Sequence, residues 1–110
     1  MDILFGNNKL EKYANSDREG NKKLGVIRFK IYKKRLDQIR AAKNLEDLRY
    51  APGRFHELKE NRKGEWACDL DQPYRLIFTP QENPIPTDNH GKFIWVEILG
   101  VEIIEIEDYH

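Results

Sequence analysis

An α+β fold is predicted for this chain, with an N-terminal strand and two helices packed on one face of a sheet. Three observations predict it. Apolar residues at helical spacing are confined to the first half of the chain, and apolar residues at strand spacing fill the second. Gly, Pro and Asn gather between these segments and set their borders. The other face of the sheet is expected to stay open as a concave surface.

Asp2-Ile3-Leu4-Phe5 reads as a short strand stopped by Gly6-Asn7-Asn8. Leu10, Tyr13 and Ala14 suggest a brief helix over 8–18, broken by Gly20-Asn21. The clearest helix is predicted over 22–43, where Phe29, Tyr32, Leu36 and Ile39 recur at steps of three and four as one apolar stripe. Asn44 ends it, residues 45–48 form a turn leaning on the core, and Pro52-Gly53 marks a loop. Strands are predicted over 54–60, 65–71 and 73–79. Asn61-Arg62-Lys63-Gly64 joins the first two, with glycine where a positive φ is needed. Trp66, Cys68 and Leu70 alternate, so that strand buries one face, whereas Tyr74 to Phe78 is apolar on both faces and reads as central. Three prolines with Asp88-Asn89 and Gly91 make 80–92 a long exposed loop. Apolar residues return over 93–99 and 101–107. There Ile104 and Ile106 take the parity opposite to Val101 and Ile103, which predicts a bulge.

A length of 110 residues suits one domain over 1–110, and 39% hydrophobic against 35% charged residues gives a modest core under a dense charged surface. Nineteen basic and nineteen acidic side chains cancel, so net charge gives no argument for nucleic acid. The distribution does. Residues 22–49 hold ten Lys/Arg against three acids, while 97–110 hold five acids and no Lys or Arg. A cationic face can hold a phosphate backbone by releasing counterions, and it can equally be a solvated helix face. Cys68 has no partner for a disulfide and reads as a small buried hydrophobe. No stretch is long enough to span a bilayer and no leader-like segment opens the chain, so the cytoplasm is the expected location and no membrane is expected as partner. His56, His90 and His110 are scattered without metal-ligand spacing, so neither metal nor cofactor is expected.

The candidate chemistry lies in His56, Lys59, Arg62, Lys63 and Arg75, together with the final Asp108-Tyr109-His110. If their strands share one sheet, these residues suit RNA cleavage without metal. A base removes the ribose 2′-hydroxyl proton, the oxygen attacks the adjacent phosphorus, cations stabilise the phosphate, and an acid protonates the leaving 5′ oxygen. Two imidazoles supply base and acid, the order between them open. Lys59 and Arg75 supply the clamp. Tyr109 bonds the phosphate or stacks on a base, and Asp108 orients an imidazole. Plainer roles stand beside these. Arg75 can be a structural cation paired with a late acid, His56 can cap a strand end, His110 can be ordinary surface, Trp66 suits the core, and His90 the surface.

Three stretches carry a resemblance: His56-Glu57-Leu58-Lys59-Glu60-Asn61-Arg62-Lys63-Gly64-Glu65-Trp66, then Tyr74-Arg75-Leu76-Ile77-Phe78, then Glu107-Asp108-Tyr109-His110. Together with Lys34-Arg35-Leu36-Asp37, Ala41-Ala42 and Leu45-Glu46-Asp47-Leu48, they resemble the HigB toxins of the RelE/ParE superfamily from about Gly25 to His110. The resemblance implies a RelE-like fold, a curved and mainly antiparallel sheet of four to five strands. It also implies a ribosome-dependent mRNA endonuclease that cuts codons in the ribosomal A site. Its implied partners are a HigA-like helix-turn-helix antitoxin, the ribosome and mRNA, with promoter DNA reached only through the antitoxin complex. By the same resemblance His56, Asp108, Tyr109 and His110 are catalytic, and Lys59, Arg62, Lys63 and Arg75 contact RNA. Glu60 departs from the pattern, standing where members usually carry glycine, and the 80–92 loop is longer than in the shortest members. The alternative function is a ParE-like inhibitor that acts on DNA gyrase and cuts no RNA.

Overall fold

The computed structural model describes residues 1–109, and His110 lies outside the described residues. The order of elements is β1 (Asp2–Phe5), α1 (Asn8–Asn15), α2 (Asp17–Leu24), α3 (Val26–Ala41), β2 (His56–Glu57), β3 (Trp66–Asp69), β4 (Tyr74–Pro80) and β5 (Gly100–Asp108). Short 3-10 turns fill Glu46–Tyr50, Glu60–Arg62 and Trp95–Glu97. The five strands lie in the order β1-β5-β4-β3-β2. β1 runs parallel to β5, and the other neighbours are antiparallel.

Three helices form where two are predicted. Asn7 caps α1, its Oδ1 accepting from the N–H groups of Lys9 and Leu10 at 2.9 and 3.2 Å. Ser16 then caps α2 through the Glu19 N–H, an S-x-x-E pattern that starts a helix where one was expected to fade. Gly25, at φ +84, closes α2 and opens α3, so the helix expected over 22–43 is divided there. Gly20 did not break the helix. It is buried inside α2 because any Cβ there would overlap the Phe29 ring. Gly20→Ala is therefore expected to cost about 1–3 kcal/mol by overpacking, read from the midpoint of urea unfolding.

The α3 stripe packs as its spacing predicts, with Phe29, Tyr32, Leu36 and Ile39 all buried. The Tyr32 hydroxyl donates to the Leu10 carbonyl at 2.8 Å and ties α3 to α1, and burial pushes its pKa up. The basic side chains of this segment therefore point away from the sheet or are paired. Arg28 bonds Asp71, Lys33 meets Asp17, and Arg49 meets Glu46.

Cross-strand partners share a face of the sheet. Trp66, Phe78 and Ile103 line the helix side, with Cys68 beside Leu76 and the Cys68 thiol fully buried. β4 is central, as predicted, flanked by β3 and β5. The bulge also forms: Glu105 pairs with Ile77 and Ile103 with Phe78, leaving Ile104 as the extra residue. The apolar run at 93–99 holds a 3-10 turn at Trp95–Glu97, whose Trp95 closes the core. No helix among the described residues is long and apolar enough to cross a membrane.

Candidate active site

The face of the sheet turned away from the helices carries two charged rows. One runs His56, Ala67, Ile77, Glu105 across β2, β3, β4 and β5. The next runs Asp69, Arg75, Glu107, two residues further along. Arg54, just before β2, joins the second row through Asp69 at 3.6 Å. Strand spacing places the His56 and Arg75 backbones about 12 Å apart, within reach of one phosphate held between their side chains.

Arg75 is the best-positioned cation. Its side chain is 11% exposed, its Nε donates to Glu107 at 2.6 Å, and its guanidinium lies 3.8 Å from the centre of the Tyr109 ring. Tyr109 is itself pinned, its N–H donating to the Pro73 carbonyl at 2.8 Å. Among the described residues the two terminal nitrogens of Arg75 carry no hydrogen bond. Its planar fork is thus oriented by Glu107 and Tyr109 and keeps donors for an incoming anion.

Arg62 does a different job. It bonds Glu65 at 2.7 Å and Glu105 on β5, and lies 3.5 Å from Glu107. These carboxylates raise its pKa, those of Glu65 and Glu105 most. Because Glu65 leads into β3 and β4 lies between β3 and β5, the guanidinium crosses β4 and fastens the turn after β2 onto the sheet. Arg62 and Arg75 are therefore brought together, through Glu107. Lys59 is exposed on that turn, and Lys63 lies 5.6 Å from the Phe93 ring, in a separate cleft.

His56 lies two strands away from Arg75. Its Nδ1 lies 2.6 Å from the Arg54 carbonyl. A carbonyl only accepts, so Nδ1 is the donor in this contact, and Nε2 is the ring nitrogen left free of it. The accepting carbonyl belongs to Arg54, which sits in the left-handed region at φ +55, beside Gly53 at φ +111. Asp108 ends β5 opposite Tyr74, exposed. His110 lies outside the described residues.

Glu105 and Glu107 belong to this site although nothing in their immediate sequence context singles them out. Their signal is a spacing of two within a terminal strand, the same parity that Arg75 takes on the strand before. The Glu60 departure also gains a physical meaning. Glu60 adopts φ +57, the left-handed region where glycine is at ease. An L-residue there costs about 1–2 kcal/mol, and glycine returns about 0.5–1 of that as chain entropy. Glu60→Gly is expected to leave stability unchanged or raise it by up to about 1 kcal/mol, measured by chemical denaturation.

No metal-binding group of His, Cys, Asp and Glu occurs among the described residues. Comparison with curated proteins found no match, and comparison with solved structures found none either. The family described as "RelE-like toxin of type II toxin-antitoxin system HigB" matches residues 4–90. The match spans the helices, β2, the Arg62 turn, β3 and β4, and stops before β5. With a mixed sheet covered on one side by helices, the chain belongs to the RelE-like HigB toxins of type II toxin–antitoxin systems.

Proposed function

We propose that this toxin is a ribosome-dependent mRNA endonuclease. A type II toxin has a protein antitoxin as partner, and here the proposed partner is a HigA-like helix-turn-helix protein. The observation that carries the nuclease reading is Arg75, oriented by Glu107 and Tyr109 with free donors on the same face as an imidazole whose Nδ1 donates to a carbonyl. His56 Nε2 takes the 2′-hydroxyl proton as the oxygen attacks phosphorus. The Arg75 fork receives the charge that builds on the phosphate oxygens. Tyr109 keeps the fork flat or stacks a base, and Lys59 adds positive potential nearby. His110, with Asp108 orienting it, protonates the 5′ oxygen as the P–O bond breaks. The products are a 2′,3′-cyclic phosphate and a 5′-hydroxyl.

As the family resemblance implies, alignment of the 2′-oxygen with the leaving oxygen falls to the ribosome. Such alignment is worth roughly 7 kcal/mol or more, which lets a small protein contribute chiefly proton transfer and charge. His56→Ala is expected to slow cleavage of ribosome-bound mRNA by about 100- to 10,000-fold, read by mapping mRNA 5′ ends on stalled ribosomes. Wild-type growth arrest with intact A-site codons and damaged DNA would instead favour the gyrase inhibitor.

A further inference from the structure

β2 has a second face. Glu57 pairs with Trp66 on the helix side, opposite to its neighbour His56. Beyond Glu57 opens a cleft of about 560 Å³ lined by Arg49, Lys63, Lys92, His90 and the rings of Phe93 and Trp95. A smaller depression of about 250 Å³ shares Glu57, Lys63 and Phe93 with it and continues past Lys59 along the turn.

The charge in this cleft differs from that on the open sheet face. Glu57, the carboxylate in its wall, accepts from the Trp95 indole N–H at 2.8 Å and meets Arg49 at 3.6 Å. Lys63 and Lys92 form no ion pair among the described residues. On the open face, by contrast, Arg62 and Arg75 are both bound to carboxylates. In the cleft the Lys63 ammonium faces the Phe93 ring and no carboxylate at ion-pair distance among the described residues, whereas Lys92 lies near the Asp88 carboxylate of its own loop and Arg49 is held by Glu46 and Glu57.

An aromatic platform stands beside that charge. The Phe93 ring packs 5.0 Å from Trp95, which meets Trp66 edge-on at 5.6 Å, and the Lys63 ammonium lies 5.6 Å from the centre of the Phe93 ring. The loop bearing Lys92 and His90 is built rather than loose. Asp88 Oδ1 accepts from the N–H groups of Lys92 and His90 at 3.0 and 2.8 Å, and Thr87 bridges to Phe93. Those two N–H groups hold the Asp88 carboxyl below the usual carboxylate range. Its contribution is thus complete above the ordinary carboxylate pKa and lost only as acid carries the pH through the lowered value, so the loop is formed at neutral pH.

We propose that this cleft is a subsite for a nucleotide flanking the reaction centre on single-stranded RNA. Phe93 stacks the base, and Lys63 with Lys92 holds the phosphate. The proposal rests on the nuclease reading, since a strand bound at His56 reaches the cleft by turning over the edge of β2. Aromatic platforms beside cationic side chains are the general solution for single strands, because every base has a π face.

The test uses a fluorescent 2′-O-methyl hexaribonucleotide, which binds but lacks the attacking hydroxyl. Lys63→Ala and Lys92→Ala are each expected to weaken binding about three- to tenfold and to flatten the salt dependence by roughly one phosphate contact. Phe93→Leu, which keeps apolar bulk, is expected to weaken binding by about tenfold or more without changing the salt slope. Lys22→Ala on α2 serves as a control and should leave both unchanged. Wild-type protein that fails to bind the hexamer, or variants that bind like wild type, overturn the subsite. Binding of an acidic antitoxin segment in place of RNA overturns it too. The nuclease reading fails separately, if His56→Ala still cleaves while the binding shifts persist. Messenger and ribosomal RNA offer the same chemistry. A photo-crosslinker on His90→Cys, selective because Cys68 is buried, distinguishes them in ribosome complexes: a crosslink to either RNA supports the subsite, and one to ribosomal protein alone refutes it.

Discussion

Arg75→Ala is expected to lower cleavage of ribosome-bound mRNA by about 100- to 1,000-fold while the protein stays folded. That is the usual loss when one preorganised donor to a developing oxyanion is removed. Arg75 fits this role because its orientation is fixed before substrate arrives, by Glu107 at 2.6 Å on Nε and by the Tyr109 ring at 3.8 Å. A structural cation would show a different pattern. Its removal would leave Glu107 with Arg62 alone, at 3.5 Å, and such a partly exposed pair is worth about 1 kcal/mol at most. The two roles separate in the double variant Arg75→Ala with Glu107→Gln. It should recover stability in a urea titration and recover no cleavage. Arg75→Lys keeps the charge but loses the fork and the stacking on Tyr109, so it should rescue only in part. Cleavage by the double variant at the wild-type rate would make Arg75 a structural residue.

Trp66→Ala is expected to cost about 3–5 kcal/mol, a large share of the about 5–15 kcal/mol that holds a typical domain together. Trp66 is fully buried, meets Trp95 edge-on at 5.6 Å and carries Arg49 5.0 Å from its ring. Its loss opens a cavity where β3, the 3-10 turn at Trp95–Glu97 and Arg49 converge. Trp66→Phe should cost far less than its lost volume suggests. Among the described residues the indole Nε1 of Trp66 has no hydrogen-bond partner, and phenylalanine removes that buried orphan donor. Thermal unfolding of the two variants side by side measures the difference.

Particular residues show how much of this was legible in the chain. The α3 stripe, the central position of β4 and the bulge at Ile104 follow from periodicity, which records burial directly. The split at Gly25 was harder to read, because the same apolar spacing continues across it and only one φ angle separates two helices from one. In the site, His56, Arg62 and Arg75 were visible as residue types in a familiar order, and the pairing of Arg75 with a late acid stood as its plainer alternative. Which acid, and that Arg62 reaches the same Glu107 as well as Glu105, required the register of β4 on β5.

By itself the sequence determined the fold class and the core, because alternation and helical spacing are local properties that survive without coordinates, while the ordered motifs carried the family resemblance. Only the tertiary structure decided what surrounds each charge. It turned the basic segment of α3 away from the open sheet face and set Glu105 and Glu107 against the site arginines. It also placed Lys63 and Lys92 across an edge strand from His56, with no ion pair to either among the described residues. Coulomb interactions depend on distances between residues far apart in the chain, and those distances exist only once the strands have paired.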